Sequence, residues 1–202
     1  MLNEAEKQKR VDELKKMGAE IVDLKDLPLY KFRIENRYLP VIGEGSHFAE
    51  IMFIGEAPGK NEALTGRPFC GRSGKILDEL LSSVSLKRED VYITNIVKDR
   101  PPENRDPSSE EIKIYGPFMD RQIEIIQPKI IATLGRFSMQ YIFEKFGILE
   151  DLKSISDMHG KVFETKTNYG KVKIIPLYHP AASIYNQHLE ETLKKDFQIL
   201  VS

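Results

Sequence analysis

Cysteine is almost missing from this chain: among 202 residues only Cys70 carries a thiol. A single thiol excludes an internal disulfide and any metal centre assembled from several thiolates of the same chain. An excess of one charge is missing as well, because Lys plus Arg number 30 and Asp plus Glu 31, for a net charge of −1. No global field therefore attracts a polyanion, and a nucleic-acid surface would have to be built by gathering cations on one face. No apolar run approaches membrane-spanning length, and Asn3 to Lys16 is charged where a secretory leader is apolar. These absences predict a soluble intracellular protein, placed in the cytoplasm. What remains is ordinary globular composition, 41% hydrophobic and 30% charged, in a chain long enough to bury a substantial core. No repeat, low-complexity tract or linker divides it, so residues 1–202 are expected to form one domain, with 1–18 as a flanking N-terminal helix.

Along the chain, Glu4 to Met17 carries Ala5, Val11 and Leu14 at roughly helical spacing, and Gly18 is a candidate C-cap. Residues 20–48 are broken by Pro28, Pro40, Gly43 and Gly45, which predicts a wrapping segment with at most short strands. The pattern then becomes regular. Strands are expected at Glu50 to Ile54, Val91 to Ile96 and Lys129 to Leu134, with helices at Gly74 to Val84, from Ser108 to about Ile126, and at Ser138 to Phe146. A hairpin around Asn168-Tyr169-Gly170 joins Val162–Glu164 to Val172–Leu177, and a helix from Leu189 to Leu200 ends the chain. Strands that are continuously apolar and alternate with helices imply a sheet covered on both faces. The fold class is α/β, a three-layer α/β/α sandwich with a central four-stranded, mainly parallel sheet.

Two segments stand where strands run out into loops: Gly55-Glu56-Ala57-Pro58-Gly59 after Ile51–Ile54, and His179-Pro180-Ala181-Ala182 after Ile174–Tyr178. Ligands of open α/β sheets bind beyond the carboxyl ends of strands, so the two exits imply one shared pocket. The first lacks both the dinucleotide fingerprint and the P-loop Gly-Lys-Ser/Thr, which demotes phosphate binding by a standard nucleotide fold. Phe69 sits in a glycine-rich stretch, Thr65 to Gly74, where it would either stack on a flat ligand or anchor the loop. Asn95 ends an apolar strand and would either present a donor and an acceptor to a base edge or bond its own backbone in a turn. A lone histidine is usually structural, but the place of His179 at a strand exit sets it above His47, His159 and His188. There it would donate to an oxygen on which negative charge develops.

Taken in order, Gly55–Gly59 with Glu62, Gly66-Arg67-Pro68-Phe69, Gly71-Arg72-Ser73-Gly74, Thr94–Lys98, Arg100-Pro101-Pro102 with Asn104-Arg105, Gln127-Pro128-Lys129 and His179–Ala182 closely resemble the family 4 uracil-DNA glycosylases. The resemblance spans about residues 20 to 197, and several ordered motifs together are far more specific than any one. It implies a monofunctional DNA repair glycosylase that removes uracil, extruded from the helix, and leaves an abasic site. By resemblance, Phe69 stacks on uracil, Asn95 reads N3 and O4, the backbone of Gly55, Glu56, Ala57 and Gly59 lines the pocket, and His179 stabilises the anion growing on O2. Ala57 stands where another uracil glycosylase family has a water-positioning aspartate, which leaves Glu56 and Glu62 as unranked candidates for orienting water or stabilising the sugar cation. Each also has a bland reading as a cap or salt-bridge residue.

The resemblance fails at one place. Family 4 enzymes carry four cysteines binding a 4Fe–4S cluster, and the matching positions here are Asp23, Asp26, Asp99 and Tyr115. Thiolates are the ligands such a cluster requires, so no cofactor is expected. Three aspartates suggest a hard cation, against the blander expectation of solvated acids or pairing with Lys25, Lys98 or Arg100. The expected partner is uracil-containing DNA, single- or double-stranded, bound by a monomer, with a sliding clamp as an open possibility and no membrane. Arg67, Arg72, Lys75, Lys98, Arg100 and Arg105 are expected to contact phosphates, and Ile184 or Tyr185, in the Ala182–Gln187 segment, would be the minor-groove wedge. Two other functions compete: a glycosylase for hypoxanthine or mismatched thymine, and a non-catalytic DNA or damaged-base binding protein.

Overall fold

The structure, a computed structural model, describes residues 3–186 and 188–202. Its helices are α1 (Glu4–Asp23), α2 (Tyr30–Glu35), α3 (Lys60–Thr65), α4 (Arg72–Ser83), α5 (Ser109–Ile126), α6 (Arg136–Lys145), α7 (Ile155–Met158), α8 (Ala182–Tyr185) and α9 (His188–Gln198). Its strands are β1 (Glu44–Gly45), β2 (Ile51–Gly55), β3 (Tyr92–Asn95), β4 (Ile130–Leu134), β5 (Phe163–Thr167) and β6 (Gly170–Leu177), in the spatial order β1-β3-β2-β4-β6-β5. The four inner strands are parallel, as the apolar runs predict; β1 and β5 add an antiparallel strand at each edge. The sheet is thus six-stranded and mixed around the expected four-stranded parallel centre.

Side-chain alternation in the strands sorts the core into two layers. Met52, Ile54, Tyr92, Ile131 and Ile174 point to the layer containing buried residues of α1, α5 and α6, whereas Ile51, Phe53, Ile93, Ala132, Ile175 and Leu177 meet α4 and α9. Helix α5 starts where its sequence signals a start: Ser108 and Glu111 form a reciprocal capping box, with Ser108 Oγ accepting from the Glu111 N–H at 3.1 Å and Glu111 Oε2 accepting from the Ser108 N–H at 2.8 Å.

Helix α1 differs from expectation. It runs through Gly18 to Asp23, because Leu14, Met17 and Ile21 form one buried stripe whose burial outweighs the helix cost of a glycine. Arg10 ties it to α5 by donating to the Ile126 carbonyl at 2.7 Å and to Gln127 Oε1 at 2.6 Å. The flank is therefore a packed element longer than the 1–18 helix the sequence suggests. No helix among the described residues is long and apolar enough to cross a membrane.

Candidate active site at the carboxyl edge of the sheet

Alternation places three candidate residues on one face. Gly55 continues the parity of Ile51 and Phe53, Asn95 that of Ile93, and His179 that of Ile175 and Leu177, so all three lie on the α4/α9 side at the carboxyl ends of their strands. Parallel pairing sets Gly55 directly beside Asn95. A methyl group on Gly55 would overlap Asn95 Oδ1 and come within 2.7 Å of Phe69 Cζ, so only glycine permits both side chains to close over the strand end. The rings of Phe69 and His179 lie 5.6 Å apart, tilted by 31°. Gly55, Phe69, Asn95 and His179 thus meet at one place on the carboxyl edge of the sheet.

Phe69 is held there by a strained loop. Its φ of 47° is unusual for a bulky residue, and α4 packs so closely on it that a Cβ on Gly74 would run into the Phe69 carbonyl. Glu62, buried on α3, fastens the following residues: its Oε1 accepts from the backbone N–H of Cys70 at 3.0 Å and of Gly71 at 2.9 Å. On the other side Arg88 donates to the Pro68 carbonyl, to Glu44 and to Asp78. The carboxylate of Glu62 is therefore engaged by backbone donors that shape the loop.

Glu56 has different surroundings. No hydrogen bond to its side chain is present among the described residues. Burial first, then the field of Asp106, raises its pKa to about 7, with Arg136 pulling the other way. Arg136 and Asp106 are themselves paired at 2.6 Å. Ala57 packs toward the α1/α5/α6 layer, and Gly59 is the N-cap residue of α3.

The state of His179 follows from its contacts. The Ala181 backbone N–H donates to Nδ1 at 3.1 Å, so in the neutral ring the proton resides on Nε2. Burial pulls its pKa down to about 4, only partly opposed by Glu62. At neutral pH the ring is an uncharged Nε2–H donor.

The cation set divides. Arg72 and Lys75 are exposed on the first turn of α4, with no ion pair among the described residues. Arg67 is exposed but forked onto Glu44 at 2.9 and 2.8 Å, Arg105 is forked onto Glu111 at 2.8 and 2.6 Å, and Arg100 donates to Tyr38 and Asn104. Lys98 corrects the expectation outright: it is wholly buried and cannot reach a phosphate. Ile184 is half-buried on α8, while the side chain of Tyr185 and all of Gln187 lie outside the described residues. A groove of about 730 Å³ between α5 and α6, lined by Ile112, Pro117, Phe137 and Tyr141 among others, contains none of the pocket residues.

The positions matched to cluster cysteines do not fit an iron–sulfur centre. Asp23 and Asp26 are exposed, whereas Asp99 and Tyr115 are buried. Arg33 donates to both Asp99 oxygens at 3.1 Å and to the carbonyls of Ile21 and Val22 at 3.2 and 2.8 Å; Tyr115 Oη donates to Asp99 at 2.5 Å. A guanidinium and a phenol hold the fourfold junction of α1, α2, α5 and the segment after β3, and no thiolate is near it. The hard-cation idea fails too, since Asp99 is neutralised by Arg33 rather than by Lys25, Lys98 or Arg100, and no group of three potential ligands converges among the described residues. Neither Arg33 nor Gln122, described below, had a sequence signal: each is a polar residue in a helical pattern, distinguished only by burial.

An α/β sheet with a parallel centre, whose carboxyl edge brings an aromatic ring, an amide and a neutral imidazole together, fits the class of a nucleobase-processing protein. The comparisons agree, and the chain belongs to the uracil DNA glycosylase superfamily, whose profile matches residues 42–200. It is 47% identical to the type-4 uracil-DNA glycosylase of Sulfurisphaera tokodaii over 93% of this chain and 83% of that one. With the type-4 uracil-DNA glycosylase of Archaeoglobus fulgidus it shares 46% identity over 89% of this chain and 87% of the relative, and with that of Saccharolobus solfataricus 46% over 93% and 85%.

Proposed function

We propose that this protein is a DNA repair enzyme that hydrolyses the bond between uracil and deoxyribose in DNA, leaving an abasic site. The observation that carries this is the convergence of Phe69, Asn95 and His179 over Gly55 in a chain of this family. An extruded uracil stacks on Phe69; the Asn95 amide accepts from N3–H and donates to O4, a pairing that cytosine, with an amino group at that position, does not satisfy. As the bond between C1′ and N1 breaks, its electron pair stays on the base and charge accumulates at O2. The Nε2–H of neutral His179 donates to that oxygen, a bond stronger in the transition state than in the ground state.

Breaking that bond leaves a cationic sugar, which water captures. Of the two carboxylates, Glu56 suits this step: its side chain has no hydrogen-bond partner among the described residues, so it is free to orient the water and take its proton. Glu62 instead positions the Phe69 loop. Exposed Arg72 and Lys75 bind phosphates without sequence preference, and Ile184 enters the minor groove beside the extruded base. The protein acts as an intracellular monomer on single- or double-stranded DNA.

Oligonucleotides carrying one uracil, hypoxanthine or mismatched thymine, incubated with the protein and cleaved with alkali, test this. Cleavage at uracil is expected. Cleavage confined to hypoxanthine or thymine would move the activity to another base, and DNA binding with no cleavage at enzyme excess would make the protein a binding module.

A further inference from the structure

Lys98 is fully buried, and no carboxylate pairs with it among the described residues. Its Nζ lies 2.6 Å from the main-chain oxygen of Asn95, 2.9 Å from Thr94 Oγ1, and in hydrogen-bond contact with Gln122 Oε1. All three oxygens stand to Nζ as acceptors. The Asn95 oxygen is a carbonyl. Thr94 has as its closest acceptor the Ile42 carbonyl, at 2.7 Å. The amide nitrogen of Gln122 donates to the same Ile42 carbonyl at 2.8 Å and to Tyr92 Oη at 3.0 Å, so its oxygen must face the lysine; the flipped amide would set donor against donor and carbonyl against carbonyl. The three donors of the ammonium form match these three acceptors one for one. A neutral amine has two donors, and its lone pair is satisfied only if Thr94 turns its proton toward Nζ and gives up the 2.7 Å bond to the Ile42 carbonyl.

Burial works against this, drawing the Lys98 pKa well down. The polar network opposes it, with three oxygens bonded to Nζ but no carboxylate, and buried ionisable groups this perturbed cluster at functional sites. The position of Lys98 suggests its use. Thr94 and Asn95 project to opposite faces of β3, and Lys98 bonds the Thr94 hydroxyl and the Asn95 main-chain oxygen, so its Nζ lies on the Thr94 face, behind the strand from the Asn95 amide.

We infer that Lys98 is a positioning residue whose buried positive charge, set behind Asn95, stabilises the departing uracil anion and holds the strand end that reads it. The inference rests on the uracil-excision function proposed above. When the bond from C1′ to N1 breaks, the pair left on the base delocalises toward O4 as well as O2; His179 serves O2, and Lys98 serves the Asn95 side through space and through the Asn95 main chain. No proton leaves Lys98 and no covalent bond to it forms.

The test is single-turnover excision of uracil and of 5-fluorouracil, whose anion is intrinsically more stable and needs less help, from otherwise identical single-stranded DNA. Wild-type excision of uracil establishes the underlying function independently. In Lys98→Met the uracil rate should fall about 10- to 100-fold, the scale of one charge in a partly screened interior. The 5-fluorouracil rate should fall several-fold less, with DNA affinity unchanged. Equal losses on both bases, or no loss, would overturn the inference and leave Lys98 a structural residue. Lys98→Met strands the Gln122 oxygen, so the double variant Lys98→Met/Gln122→Met, which removes donor and acceptor together, is measured beside it with the same criterion. Neutron diffraction of the wild-type protein needs no variant: three deuterons on Nζ are expected, and two would overturn the inference.

Discussion

Glu56 and Glu62 stand close together in one motif, yet their carboxylates have different fates. Two backbone N–H groups occupy Glu62, while Glu56 keeps an uncommitted carboxylate whose pKa burial raises to about 7. A general base acts only when ionised, so with Glu56 in that role the excision rate should rise with pH through an apparent pKa near 7 and level off above it. Glu56→Gln should lower the plateau and remove that limb; a profile of unchanged shape in the variant would exclude Glu56 as its source. His179 adds no second limb in this range, because its pKa of about 4 leaves it neutral above about pH 5. Gly55→Ala provides a steric check at the same scale. Its methyl would displace Asn95 and Phe69 at once, so excision should fall by about 100-fold or more, with the far-ultraviolet circular dichroism unchanged.

Among the elements, the strands and main helices were legible because burial here follows simple periodicity. β2, β3 and β4 read as apolar runs, and the reciprocal box at Ser108 and Glu111 marked the start of α5. Short or context-dependent elements were not: α3 and α7 have too few residues for a period, two-residue β1 exists only through its pairing with β3, and α1 passes a glycine because α5 buries its apolar stripe. The pocket was partly legible for the same reason. Odd-numbered residues at three strand ends share a face, which fixes Gly55, Asn95 and His179 once the strands are placed. The inward turn of Lys98 and the clamp formed by Glu62 depend on tertiary contacts no motif announces. That clamp predicts that Glu62→Ala, which leaves two loop N–H groups without an acceptor, costs about 1–3 kcal/mol. It should also weaken binding of free uracil, measured by equilibrium titration, more than binding of undamaged DNA.

For the whole molecule, the buried Arg33–Asp99–Tyr115 network includes two of the four positions that the family resemblance matches to cluster cysteines. It joins the carboxyl end of α1, α2, α5 and the segment after β3 without metal, through charge-assisted hydrogen bonds. Purified protein should therefore contain no iron and lack the visible absorbance of a cluster. Arg33→Met, which strands a buried carboxylate, should cost about 3–5 kcal/mol in denaturant unfolding, and Tyr115→Phe about 1–2 kcal/mol. Both variants should retain the wild-type excision rate below their unfolding transitions. The central claim is that one pocket, built from Phe69, Asn95 and His179 over Gly55, performs uracil excision. Its most direct test sets single-turnover excision against DNA affinity for Asn95→Ala and His179→Ala. The pocket predicts a rate loss of about 100- to 1,000-fold for each, with DNA affinity nearly unchanged; a parallel loss of rate and affinity, or wild-type rates, would contradict it.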